Sequence, residues 1–97
     1  LLTDNLYFTV ARHANEMAFR LRDGFEALGI SFPVRSPSNQ QFPVMKVRTA
    51  EKLRSMGFAF LLDHALEDDT AVYRFVTSWA TPESAVEDLL SALAQCL

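Results

Sequence analysis

A single guanidinium interrupts the most strand-like stretch of the chain, V72-Y73-R74-F75-V76-T77-S78-W79. Residues 72 to 76 are β-branched and aromatic, the types that fit a pleated and largely buried surface, and Arg74 stands in their middle. Arginine does not shed its proton, so it cannot enter an apolar site by becoming neutral. It must pair with an acid, reach solvent, or face an anion that arrives from outside.

The other side chains able to do chemistry are less organised. His13 and His64 share no HExxH or related spacing, and Cys96 is alone, so neither a metal site nor an internal disulfide is expected. Both histidines are expected to be structural or solvent-facing, and Cys96 a packed or frayed thiol. Gly24, Gly29 and Gly57 are isolated, so no glycine-rich loop is available to cradle a phosphate. Thr77 and Ser78 have no base near them in sequence and read as polar groups that turn the chain after a strand.

Charge is distributed unevenly. Residues 1–56 carry eight Lys or Arg against five Asp or Glu, and residues 57–97 carry one against seven, giving +3 and −6. Arg74 is the one Lys or Arg of the second part, among Asp63, Glu67, Asp68, Asp69, Glu83, Glu87 and Asp88. One of these acids could pair with it. Neither part groups its basic residues as a nucleic-acid footprint requires, so no nucleic-acid partner is expected. No apolar run approaches the roughly 18 residues of a membrane span, and no signal peptide opens the chain. A soluble, cytoplasmic protein without a membrane partner is the expectation. At 97 residues and 49% hydrophobic composition, residues 1–97 should form one domain with its own core.

The elements that must position Arg74 follow from periodicity. Thr3 or Asp4 can cap a long helix whose apolar stripe is Val10, Ala14, Met17, Leu21, Phe25 and Leu28, and Gly29 followed by Ile30 should end it in a left-handed cap. Residues 31–41 hold two prolines and read as a connection of little regular structure. A strand is predicted over 42–47, a short helix over 50–56 capped by Thr49 and ended by Gly57, and strands over 58–62 and 71–77 on either side of an acidic turn. Thr81 as N-cap, Pro82 at the first helical position and Glu83 in the first turn open a last helix with Val86, Leu89, Leu90 and Leu93 on its apolar face. The order predicts an α+β domain, a small and mostly antiparallel three-stranded sheet with helices packed on one face.

Three blocks carry a resemblance to a known family. The runs A11-R12-H13-A14-N15-E16-M17-A18, S38-N39-Q40-Q41-F42-P43-V44 and R74-F75-V76-T77-S78-W79-A80-T81 occur in the order found in the C-terminal, small domain of low-specificity L-threonine aldolases. These enzymes use pyridoxal phosphate on the aspartate-aminotransferase fold, fold type I. The third block is the most specific, because it joins a strand arginine to a T-S-W-A-T turn and a helix start.

The resemblance implies a job for Arg74, the binding of the substrate's α-carboxylate, and an enzyme that cleaves L-threonine or allo-threonine to glycine and acetaldehyde. It also implies that the catalytic residues and the cofactor-binding residues lie in a large domain of the same enzyme, since Lys46 and Lys52 sit in no matching motif. The chain then resembles a fragment, inactive alone, whose start in L1-L2-T3-D4 without an initiator methionine agrees with that, and whose full-length form is a homo-oligomer. A β-eliminating lyase or an aminotransferase of the same fold could use the same arginine. A small non-catalytic α+β ligand-binding or interaction module, with Arg74 in a structural ion pair, is the alternative from another class.

Overall fold

A computed structural model of the protein describes the backbone of residues 4–97 and the side chains from residue 11 onward. Helix α1 spans Asp4–Ala27 and buries Ala14, Met17, Leu21 and Phe25, the predicted stripe, with Leu28 packed against the edge of the core. Thr3 and the side chains of Asp4 and Val10 lie outside the described residues. The helix ends as its glycine predicts. Gly29 takes φ 89°, its N–H donates to the Glu26 carbonyl, and the Ile30 N–H reaches back to the Phe25 carbonyl at 3.0 Å.

Beyond α1 come β1 (Gln40–Gln41), β2 (Val44–Lys46), α2 (Val47–Ser55), β3 (Leu61–Ala65), β4 (Thr70–Val76) and α3 (Glu83–Cys96). The sheet is antiparallel and β4 is its centre, pairing with β3 along one edge and with β1 and β2 along the other. From Gln41↔Phe75 to Val44↔Val72 both strands advance by three residues, so β1 and β2 lie in one unbroken register. The ladder is interrupted only at Phe42 and Pro43. There the Tyr73 N–H donates to the Pro43 carbonyl at 3.0 Å, and proline has no N–H to return. The expected α+β class holds, with the first predicted strand divided at its proline and extended back to Gln40.

Three local expectations are corrected. Thr49 does not cap α2: the helix begins at Val47, directly off β2, with Lys46 in the N-cap position, and Thr49 is buried inside its first turn. Thr81 does not cap α3, whose N-cap is Pro82, because its hydroxyl instead accepts a hydrogen bond from the Ser78 N–H at 2.9 Å. The strand expected over 58–62 lies at Leu61–Ala65, with a bulge between Leu62 and His64. Phe58 and Phe60 are core and core-edge residues at the exit of α2 rather than ladder residues.

All three helices cover one face of the sheet. Along β4 the alternate residues Ala71, Tyr73 and Phe75 join the core with Met17, Leu21, Phe25, Leu53, Val86 and Leu93, as side-chain alternation requires. Phe75 stacks on Phe60 at 4.5 Å between ring centroids and meets Phe25 edge-on at 5.3 Å, while Tyr73 meets Phe60 edge-on at 5.5 Å. Helices α1 and α3 approach closely at Gly24, where a Cβ would stand 2.5 Å from the Leu90 methyls.

Candidate functional site

The alternation that sends Tyr73 and Phe75 into the core sends Arg74 to the opposite face of β4. Its cross-strand neighbour on β3 is Leu61, and the β1–β2 register places Phe42 opposite it on the other edge. Leu61 is also where β3 pairing begins. Phe58, Ala59 and Phe60 stand away from the ladder, and an open cleft of about 400 Å³ forms between them, Leu61, Val76, Arg54 and Arg74.

No carboxylate of the described residues lines this cleft. Among the described residues the Arg and Lys ion pairs are Arg20–Glu83 and Arg35–Glu26, the His64 ring meets Asp63, and Arg74 belongs to none of these contacts. The acids that crowd the second half of the sequence therefore do not neutralise it. Asp63 is engaged by the His64 ring at 2.7 Å, and Asp68 and Asp69 form the left-handed turn between β3 and β4, each at φ 57°. The Arg74 Nε is buried without an acceptor among the described residues. A half-buried guanidinium with no acid beside it, at a cleft, is arranged to receive a carboxylate or another planar anion from outside.

The strand that carries Arg74 is anchored just past it. Thr77 donates its N–H to the Asn39 carbonyl at 3.1 Å, Asn39 Nδ2 donates to the Thr77 carbonyl at 2.8 Å, and the Thr77 hydroxyl donates to the Ala14 carbonyl at 2.6 Å. His13 Nε2 donates to the Thr81 carbonyl at 2.7 Å. The three sequence blocks, 11–18, 38–44 and 74–81, thus meet at one junction, and the polar residues that look idle in sequence bond one another across it. His13 is structural, as expected. The buried Gln41 amide donates to the carbonyls of Ser36 and Ser38, which fixes the connection leading into β1.

Arg54 is the residue sequence reasoning missed. In the last turn of a short helix, beside Lys52, it reads as a solvated charge, yet its guanidinium lines the same cleft as Arg74 and lies over the Phe60 ring at 4.6 Å. Only the aromatic residues six and nineteen positions later could have signalled it, and their spacing means nothing without the fold. A second open cleft of about 350 Å³, bordered by Lys46, Arg48 and Cys96, shares no residue with the first.

The described residues do not suit pyridoxal phosphate. Lys46 and Lys52 are exposed and line no part of the Arg74 cleft, Gly29 and Gly57 serve helix ends, and Gly24 packs on Leu90. Nothing beside Arg74 offers the amine or the backbone cradle that this group requires.

No protein-family model and no curated protein matches the sequence. Among solved structures, the threonine aldolase of Leishmania major superposes with a TM-score of 0.90 at 35% identity, over 96% of this chain and 27% of that one. The serine palmitoyltransferase of Sphingomonas wittichii superposes with a TM-score of 0.72 at 14% identity, over 88% of this chain and 23% of its own, a likeness of fold alone. This chain spans little more than a quarter of the length of the aldolase. The resemblance carried by the three sequence blocks, to the C-terminal domain of threonine aldolases, holds in both sequence and fold across nearly the whole chain.

Proposed function

We propose that this chain is the substrate-closing C-terminal domain of a pyridoxal-phosphate-dependent threonine aldolase, and that Arg74 binds the α-carboxylate of the amino-acid substrate. The observation that carries the reading is the position of Arg74: on the face of the central strand opposite the core, lining an open cleft, with no acid of the described residues paired to it. The likeness to the Leishmania enzyme supports the aldolase over other reactions of the fold, since identity is 35% there and 14% to the palmitoyltransferase. The cofactor, and the lysine that holds it, belong in this reading to the large domain of the same enzyme.

What this chain contributes is orientation. A guanidinium fork fixes both the position and the plane of a carboxylate, and so fixes which bond at Cα can be aligned for cleavage. The β4 ladder and the Thr77 junction hold the backbone that carries the fork.

The test uses the full-length enzyme. Arg74→Lys keeps the charge but not the two-point geometry, and should raise KM for threonine and lower kcat together. Arg74→Ala should be worse, with the absorption of bound cofactor retained. An Arg74→Ala enzyme with the parent's KM would reject the reading.

A further inference from the structure

The wall of the Arg74 cleft is not held by the β3–β4 ladder, although the Phe60 ring packs on Phe75 and Tyr73. Phe58, Ala59 and Phe60 lie between α2 and Leu61, the first paired residue of β3, so no ladder bond to β4 fixes them. Two hydrogen bonds add to that ring packing. The Phe58 N–H donates to the Leu53 carbonyl at 3.3 Å as part of the α2 cap, and an Arg54 terminal nitrogen donates to the Phe60 carbonyl at 3.4 Å.

The Arg54 hydrogen bond is long, and ring contacts reinforce it. The guanidinium carbon lies 4.6 Å from the Phe60 centroid and 5.6 Å from that of Tyr73. A planar, weakly hydrated cation rests on aromatic faces as a compact ammonium does not. Arg54 thereby joins the cleft wall at Phe60 to Tyr73, the neighbour of Arg74 in the chain, while Leu61, next to Phe60, is the cross-strand partner of Arg74.

We propose that Arg54 is a positioning residue of the carboxylate site, holding the Phe58–Leu61 wall against β4 so that Arg74 stays fixed beside the cleft. The proposal rests on the reading of Arg74 as the carboxylate-binding residue. Arg54 acts through Phe60 and Leu61 rather than by touching the substrate.

The test measures KM and kcat for threonine in the full-length enzyme carrying Arg54→Met, Arg54→Lys or, as reference, Arg74→Ala. Arg54→Met keeps the aliphatic stem and loses the planar cation, and KM should rise about tenfold with kcat lowered as well, since a loosened Arg74 fork orients the carboxylate less well. Arg54→Lys restores the charge without the planar stack, and should recover only part of that loss. If the Met variant does not fold, the Lys variant decides by the same criterion. A parental KM in Arg54→Met, or a lowered melting temperature with KM unchanged, marks a purely structural side chain and overturns the proposal. A parental KM in Arg74→Ala removes instead the reading on which it rests, so the two failures are separable.

Discussion

Replacing Thr77 by valine keeps the shape and the β-branch of a buried residue and removes one hydroxyl. That hydroxyl donates to the Ala14 carbonyl at 2.6 Å, linking the end of β4 to α1 across 63 positions of sequence. The junction bonds that use the Thr77 backbone survive the change, and the hydroxyl's longer second contact, to the Asn39 carbonyl at 3.4 Å, goes with it while that carbonyl keeps the Thr77 N–H. The abandoned acceptor is not left bare either, because a carbonyl in mid-helix keeps its bond from the N–H four residues on. The loss should therefore be that of one ordinary buried hydrogen bond, about 1 kcal/mol, rather than the larger cost of an orphaned group. In a domain of this size that is a fall of roughly 4–8 °C in Tm. Thr77→Ser keeps the donor and loses a methyl, costing about 0.8 kcal/mol, and Thr77→Ala loses both. Urea unfolding of the three variants of the 97-residue chain reads these differences directly. A valine variant as stable as the parent, alongside a destabilised alanine variant, would show that methyl packing alone holds the junction and that the hydroxyl contributes nothing.

Leu93→Ala removes a side chain that is wholly buried between α3 and the core, and should cost about 2–5 kcal/mol in the same assay; a loss well below 1 kcal/mol would mean the cavity collapses freely. Burial raises the Tyr73 pKa above its ordinary value near 10, an effect that Arg54 opposes and Glu51 reinforces. The folded state then holds the phenol proton after the unfolded chain has released it, so the tyrosine's contribution is complete below pH 10 and is lost as pH rises through the folded value. Tyr73→Phe should consequently flatten the decline of stability in that alkaline window, and an unchanged slope would contradict the assignment. The 97-residue chain supplied with pyridoxal phosphate should release no acetaldehyde from threonine beyond the free-cofactor rate, and faster release would count against a separate cofactor-binding domain.

Much of the fold is legible because it is locally encoded. The Gly29 and Gly57 helix ends, the α1 stripe and the alternation of β4 each depend on residues within a few positions of one another. The edge strand is less legible for a physical reason. Phe58 to Leu62 has the composition of a strand, but Phe58 and Phe60 are drawn toward the core, and the ladder begins only where the β4 register allows. Thr49 and Thr81 look like caps because sequence shows which residues can accept a bond and not which donor reaches them first; Ser78 reaches Thr81. At the site, Arg74 stands out as a charge within an apolar strand. Arg54, Asn39 and His13 do not, because the partners that give them roles lie far away along the chain or bond through backbone atoms.

The irregular edge at β3 bears on how the domain behaves in company. Leu61 and Leu62 are exposed, and the outer edge of such a strand offers free backbone groups to any extended chain that meets it. The bulge after Leu62 breaks the even spacing that strand addition needs, and the Asp63–His64 pair brings polar groups to the same place. A one-residue irregularity thus acts against edge-to-edge association, and a variant that straightened it with apolar side chains would gain a flat, adhesive strand and lose solubility long before it lost its fold.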